Sequence, residues 1–268
     1  RYLIASFCGD DAFDLDDGMR GYHQFWFAWM DLKGDYACEL DGGTDCHTLC
    51  SDNFSRPFIV NATFRGAFQE DGTPHSLMRY QQNAGGEIWR SLFYDFEDGI
   101  IINATESKNC GSDERLDAGN IKLVDNLFSL IEKEPIIHYF GQSDFSLLQH
   151  PYVINQIIDE ENQPPSNKSM HTKQSGFDQI NPGVLDYTTT LTTNLFERMQ
   201  ELGLNDGMYI EAQEFFENTR YTGAFEPAQA NWAFGWTQWS EVFFKPEGNF
   251  GIFTDVSSTD LCTQYELH

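Results

Sequence analysis

The densest run of chemistry-bearing residues is Asp10, Asp11, Asp14, Asp16 and Asp17, followed one segment later by Glu39, Asp41 and Asp45. In a strand, alternate residues share a face, so Asp14 and Asp16 project to one side. If successive segments stack at the roughly 4.8 Å spacing of strands, these carboxylates repel one another unless a cation or hydrogen-bond donors neutralise them. Calcium suits such a set, because it takes about six to eight oxygen ligands in adaptable geometry. The expected ligands are Asp10, Asp11, Asp14, Asp16, Asp17 and Asp41. The spacing is not that of an EF-hand loop, since Gly18 stands where a third ligand counted from Asp14 would be. The competing reading is that these carboxylates cap turns or pair with Arg20.

Other residues carry weaker signals. Arg20, Arg65, Arg79 and Arg90 would serve a β-helical polysaccharide lyase that holds calcium with Asp and uses a basic residue as base, but an acidic groove repels a polyanion unless cations intervene. Cys46-His-Thr-Leu-Cys50 has the flavour of a zinc site but lacks a second ligand pair at matching spacing, so disulfide use is the better reading. Cys8, Cys38, Cys46, Cys50, Cys110 and Cys262 are an even set whose connectivity spacing alone leaves open. His23, His75, His138, His150, His171 and His268 share no catalytic spacing, and no nucleophile elbow, phosphate loop or dinucleotide fingerprint occurs. Trp26, Trp29, Trp89, Trp232, Trp236 and Trp239 are of a type that stacks on sugars, although burial is the commoner fate of such rings.

The elements that must position these residues repeat. Gln24-Phe-Trp-Phe27, Asn61-Ala-Thr-Phe64, Arg90-Ser-Leu-Phe93 and Asp125-Asn-Leu-Phe128 recur at intervals of roughly 29–37 residues. Each follows a second apolar stretch closed by Asp, Asn or Gly, as in Tyr36-Ala-Cys-Glu-Leu-Asp-Gly-Gly43 and Leu77 to Gly86. Two strands and a turn per period describe coils of a parallel β-helix over residues 1–133. From residue 134 the pattern changes. Phe145-Ser-Leu-Leu148 and Ile154-Asn-Gln-Ile-Ile158 predict one or two short helices broken near Pro151, 159–176 an exposed loop, and Leu191, Leu195, Phe196, Met199 and Leu202 a helix over 191–202 stopped by Gly203. Phe215, Phe216, Tyr221, Phe225, Trp232, Trp236 and Trp239 then predict an aromatic cover packed across the solenoid.

Composition bounds the setting. With 42 acidic and 16 basic residues the net charge is −26, which repels nucleic acid and anionic membrane surfaces. No apolar run reaches the roughly 18–20 residues of a membrane span. The chain starts at Arg1 without a signal-peptide pattern and reads as a mature or trimmed product. Four Asn-X-Ser/Thr sequons, at Asn53, Asn61, Asn103 and Asn167, are candidate glycan sites and, with the cysteines, favour an extracellular, oxidising location.

Taken together, Gly9-Asp-Asp-Ala-Phe-Asp-Leu-Asp-Asp-Gly18, Ile59-Val-Asn-Ala-Thr-Phe64, Asn83-Ala-Gly-Gly86, Ser91-Leu-Phe93, Tyr221-Thr-Gly-Ala-Phe225 and Asn231-Trp232 to Gly235-Trp-Thr237 resemble a family of uncharacterised secreted proteins and lipoproteins, mostly bacterial. The resemblance implies a right-handed parallel β-helix and an extracellular or cell-surface location, and carries no activity. Members usually have further coils upstream, which implies that this chain lacks that part. The expected molecule is an extracellular structural or adhesive protein, self-assembling through an uncapped coil end into a filament or surface layer, with glycans as possible partners. The alternative is a calcium-dependent polysaccharide lyase or glycan-binding module.

Overall fold

One residue with positive φ recurs at the same corner of every coil: Tyr2 (59°), Phe25 (61°), Asn61 (54°), Arg90 (50°), Asp125 (53°) and Asn155 (48°). The computed structural model describes residues 1–30, 34–42, 54–66, 76–104, 111–140, 143–159, 190–204, 207–226 and 232–233. Three strands lie between successive corners. The first coil holds β1 (Leu3–Ser6), β2 (Asp14–Leu15) and β3 (Arg20–Gln24), and the second β4 (Trp26–Trp29), β5 (Tyr36–Asp41) and β6 (Arg56–Val60). The third holds β7 (Thr63–Arg65), β8 (Ser76–Gln81) and β9 (Gly86–Trp89). In the fourth, β10 (Leu92–Phe96) and β11 (Asp98–Asn103) are followed by the short helix α1 (Ser112–Asp117) and β12 (Ile121–Val124). The fifth contains β13 (Leu127–Ile131), β14 (Ile136–Phe140), β15 (Ser143–Ser146) and β16 (Val153–Ile154), and β17 (Ile157–Asp159) opens a sixth.

Stacking gives three sheets. The first runs β1-β4-β7-β10-β13-β17, the second β2-β5-β8-β11-β14 with β15 added at its end, and the third β3-β6-β9-β12-β16. Every pairing of named strands is parallel except β14 with β15. This is a right-handed parallel β-helix, as expected, with the handedness that parallel crossovers take. Inside it, Phe64, Phe93 and Phe128 stack rung on rung, with ring centroids 5.6 and 5.3 Å apart. Ile59, Ile88, Leu123 and Val153 form a second inward column.

Two expectations fail on register. A coil has three strands rather than two, and Phe27 aligns with Thr63 while Ala28 aligns with Phe64, so the first repeat is slipped by one residue. The helical reading of 145–158 is also overturned, and the coils continue to Asp159. Val153–Ile154 and Ile157–Ile158 are strand pairs on two sheets, separated by the corner residue Asn155 and by Gln156. That narrow corner spaces β-branched pairs about a helical turn apart, which imitates an apolar helix face.

The C-terminal part supplies α2 (Leu195–Glu201) and α3 (Gly207–Phe215). Asn194 and Glu197 form a reciprocal cap, so α2 starts later than the apolar pattern suggests. Gly203 stops it as expected, with φ 68° and paired hydrogen bonds from Gly203 N to Gln200 O and from Leu204 N to Met199 O. Leu195, Met199, Tyr209, Ala212 and Phe216 bury Phe58, Val60, Trp89 and Val124 on the outside of the third sheet. Residues 217–225 then cross the corners. Gln24 Nε2 donates to Glu217 O while Glu217 N donates back to Gln24 Oε1, Asn61 Nδ2 donates to Tyr221 O, and Arg90 Nη1 donates to Thr219 O. Ala224, Phe225, Trp232 and Ala233 cover Phe27 and Trp29 on the first sheet. The expected aromatic cover is therefore present in these residues, while Trp236, Trp239 and the 160–176 part of the expected loop lie outside the described residues. No described helix is long and apolar enough to cross a membrane.

Asn61 tolerates positive φ and clamps the cover at once, and two substitutions separate these roles. Asn61→Ala is expected to lose about 2–4 kcal/mol and Asn61→Gly about 1 kcal/mol less, since glycine removes the clamp without the left-handed cost. Urea denaturation of both variants measures the difference, and equal losses would show that the corner is not strained.

Candidate functional site on the second sheet

Strand alternation in the second sheet turns Cys38, Leu40, Met78 and Tyr80 into the core, all fully buried, and so turns Glu39, Asp41, Arg79 and Gln81 outward. Asp14, Glu39 and Arg79 are paired in register, so they sit one above another on β2, β5 and β8. The turn before β2 brings in Asp11, whose carboxylate accepts from Tyr36 N at 2.7 Å. Carboxylate oxygens of Asp11, Asp14 and Glu39 lie within 4.8 Å of one another, and so do those of Asp10, Asp11 and Asp35.

Several charges in this group are held by neutral partners. Gln81 Nε2 donates to Glu39 at 2.8 Å and Gln82 Nε2 to Asp41 at 3.2 Å. Arg79 Nη1 donates to the Tyr36 hydroxyl at 3.1 Å, and with the Asn103 amide turned so that its oxygen rather than its nitrogen faces the guanidinium, Arg79 Nε and Nη2 both donate to that oxygen at 2.9 Å. Burial, then the charges of Asp11 and Asp41, push Glu39 up to about 8. Burial raises Asp11 as well, and burial with neighbouring carboxylates raises Asp16 and Asp41. The face thus favours a shared proton or a cation over a full set of bare carboxylates.

Of the expected metal ligands, Asp11 and Asp14 come together with Glu39, and Asp10 joins Asp11 on the exposed side. Asp16 and Asp41 flank the group as charges, and neither it nor Asp17 belongs to either set of oxygens; Asp17 takes a turn conformation with φ 49° before Gly18. Asp45 lies outside the described residues. Asp35 went unnoticed in the sequence, and its signal is register: Asp35 N meets Asp10 O one coil away, so it stacks on the aspartate run.

Several expected sites have other roles. Asn61 is fully buried with its amide spent on Tyr221 and Arg90, and Asn103 is 8% exposed and holds Arg79. Asn53 and Asn167 lie outside the described residues. Cys8 and Cys38 carry free thiols rather than disulfides, and burial pushes the Cys38 thiol well up. Cys46, Cys50, Cys110 and Cys262, with the zinc reading of the first two, lie outside the described residues. Among the four arginines, Arg20 stacks over Phe54, Arg65 over Trp29, and Arg90 is buried under the cover, which leaves Arg79 beside the carboxylates. Trp26, Trp29 and Trp89 are buried and Trp232 packs on Phe225, so the aromatics open to a ligand on this sheet are the partly exposed Tyr36, with Tyr139 (43% exposed) and Phe145 (58%) further along.

The sequence of residues 1–148, more than half of the 268-residue chain, matches the pectate-lyase like beta helix domain. The chain belongs to that family. Neither the curated proteins nor the solved structures compared with it give a match. For a pectate-lyase-like helix the coils are the shared part, and the carboxylate group with Arg79 lies wholly within them.

The crowding of Glu39 has a pH signature. Folded Glu39 keeps its proton up to about 8, whereas an unfolded glutamate loses it near 4.5. Between those values the folded chain binds the extra proton, so this contribution to stability is present at the acid end and is lost as pH rises. Urea midpoints taken without divalent ions are expected to fall from about pH 5 to about pH 8, and Glu39→Gln to flatten that slope. A slope unchanged by the substitution would place the titrating group elsewhere.

Proposed function

We propose that the chain recognises an acidic polysaccharide on the outer face of the second sheet, with a divalent cation, calcium foremost, joining Asp11, Asp14 and Glu39 to the sugar. The observation that carries this is the stack of Asp14, Glu39 and Arg79 on three successive rungs. Three carboxylates offer a hard cation part of its shell, and sugar oxygens and water complete it. The cation also answers the electrostatic objection to a polyanion on an acidic face, because it replaces mutual repulsion by two attractions. Membership of the pectate-lyase-like family supports a glycan over other ligands.

If the bound chain is cleaved, the chemistry that fits is elimination. A base takes the proton next to the sugar carboxylate, the bond to the leaving glycosidic oxygen breaks, that oxygen is protonated, and a carbon–carbon double bond remains. A cation on the sugar carboxylate makes that proton more acidic. Extracellular action belongs to the same proposal, since acidic polysaccharides and millimolar-range calcium modules belong to that setting. The self-assembling surface role expected from the sequence draws on the unpaired edge of β1, which any chain starting at this coil has, so the glycan reading is preferred.

Calcium is expected to bind with a dissociation constant of about 10⁻⁴–10⁻³ M, weakened at least about tenfold in the Asp11→Asn, Glu39→Gln double variant. A panel of acidic glycans, with calcium present, is followed by calorimetry and by the ultraviolet absorbance of unsaturated products. Product identifies a lyase, binding without product a recognition module, and absence of both overturns the proposal.

A further inference from the structure

Glu39 and Arg79 are opposite charges in register on adjacent strands, yet they do not pair with each other. Glu39 is taken up by Gln81, whose amide donates to it at 2.8 Å. Arg79 is taken up by the Tyr36 hydroxyl and the Asn103 oxygen, both uncharged acceptors. A guanidinium has five N–H donors; three are used here, leaving one on each terminal nitrogen without an acceptor among the described residues. Asn103 is nearly buried at the end of β11 and cannot swing away with solvent, so it fixes the plane of the guanidinium while adding no charge. A carboxylate at that place would hold Arg79 as well and would neutralise it.

We propose that Asn103, helped by Tyr36, is a positioning residue that keeps Arg79 oriented and without a carboxylate hydrogen-bonded to it, so that its spare N–H donors meet the acid group of a bound sugar. This rests on the glycan reading of the second sheet and adds to it the residue that sets Arg79's charge. It also gives the Asn103-Ala-Thr105 sequon a different meaning: the amide is retained for its neutral oxygen.

The test compares Asn103→Asp with Asn103→Ala. Exchange of the Arg79 Nε–H, followed by nuclear magnetic resonance, is expected to be slow in the wild type and in Asn103→Asp and fast in Asn103→Ala. Affinity for a hexuronate oligomer in calcium is expected to fall at least about tenfold in both variants, because the first neutralises the charge and the second releases it. A merely structural asparagine would let Asn103→Asp bind as the wild type does, and that result overturns the proposal while leaving the glycan reading intact. Fast exchange in the wild type also overturns it. Failure of the wild type to bind any acidic oligomer overturns the glycan reading itself, and with it the role given to Arg79.

Discussion

The constraint on which the rest depends is the left-handed corner between the third and first sheets. Four of its six residues are neither glycine nor asparagine, and each non-glycine corner costs about 1–2 kcal/mol in backbone strain. The strain is held by the stack. Each corner N–H donates to the carbonyl just before the next corner: Tyr2 to Gln24, Phe25 to Val60, Asn61 to Trp89, Arg90 to Val124 and Asp125 to Ile154, at 2.9–3.3 Å. A corner out of place would shift every strand after it by one residue and turn the outward carboxylates of the second sheet into the core.

The same corners receive the C-terminal segment. Side chains at or beside the corners hold it one after another, from Gln24, paired reciprocally with the Glu217 backbone, to Asp125, which accepts a fork from the Arg198 side chain at 3.0 and 3.1 Å. Glu87 does the same for α3, accepting from Lys122, Tyr209 and Trp89 beneath the helix. Asp125 and Glu87 are thus each hydrogen-bonded to a cation, which is the condition under which burying them is tolerable. The described residues of the cover therefore close the outer faces of the third sheet and part of the first, while on the second sheet Asp10 and Asp14 are exposed and Glu39 is half-buried. Fold and site are linked in this way: among the described residues, the face that carries the carboxylates is not the face the cover occupies.

The coils were legible because Asn61, Arg90 and Asp125 begin runs that return at a near-constant interval, and because the core rings Phe64, Phe93 and Phe128 recur with them. Phe25 broke the pattern: an aromatic at a left-handed corner gives no composition signal, and Trp26-Phe27 beside it invited the one-residue slip. The strands around Asn155 read as helix for the same reason, since a corner's identity lies in its φ and not in its residue type. In the site, the aspartate run was visible, and Asp11 and Asp14 of that run lie together in the fold. What sequence alone hid was register: only the stack shows that Glu39 rather than Asp16 or Asp41 lies with Asp11 and Asp14, that Asp35 lies over Asp10, and that Asn103 faces Arg79.

The central claim is that stacking alone brings Asp11, Asp14, Glu39 and Arg79 into one ligand-binding face. A crystal structure of the chain soaked with calcium and an acidic oligosaccharide tests it most directly. The account requires the ion between Asp11, Asp14 and Glu39, with a sugar carboxylate within hydrogen-bonding reach of Arg79. An ion bound elsewhere with this face left bare, or Arg79 paired directly to Glu39, would contradict it.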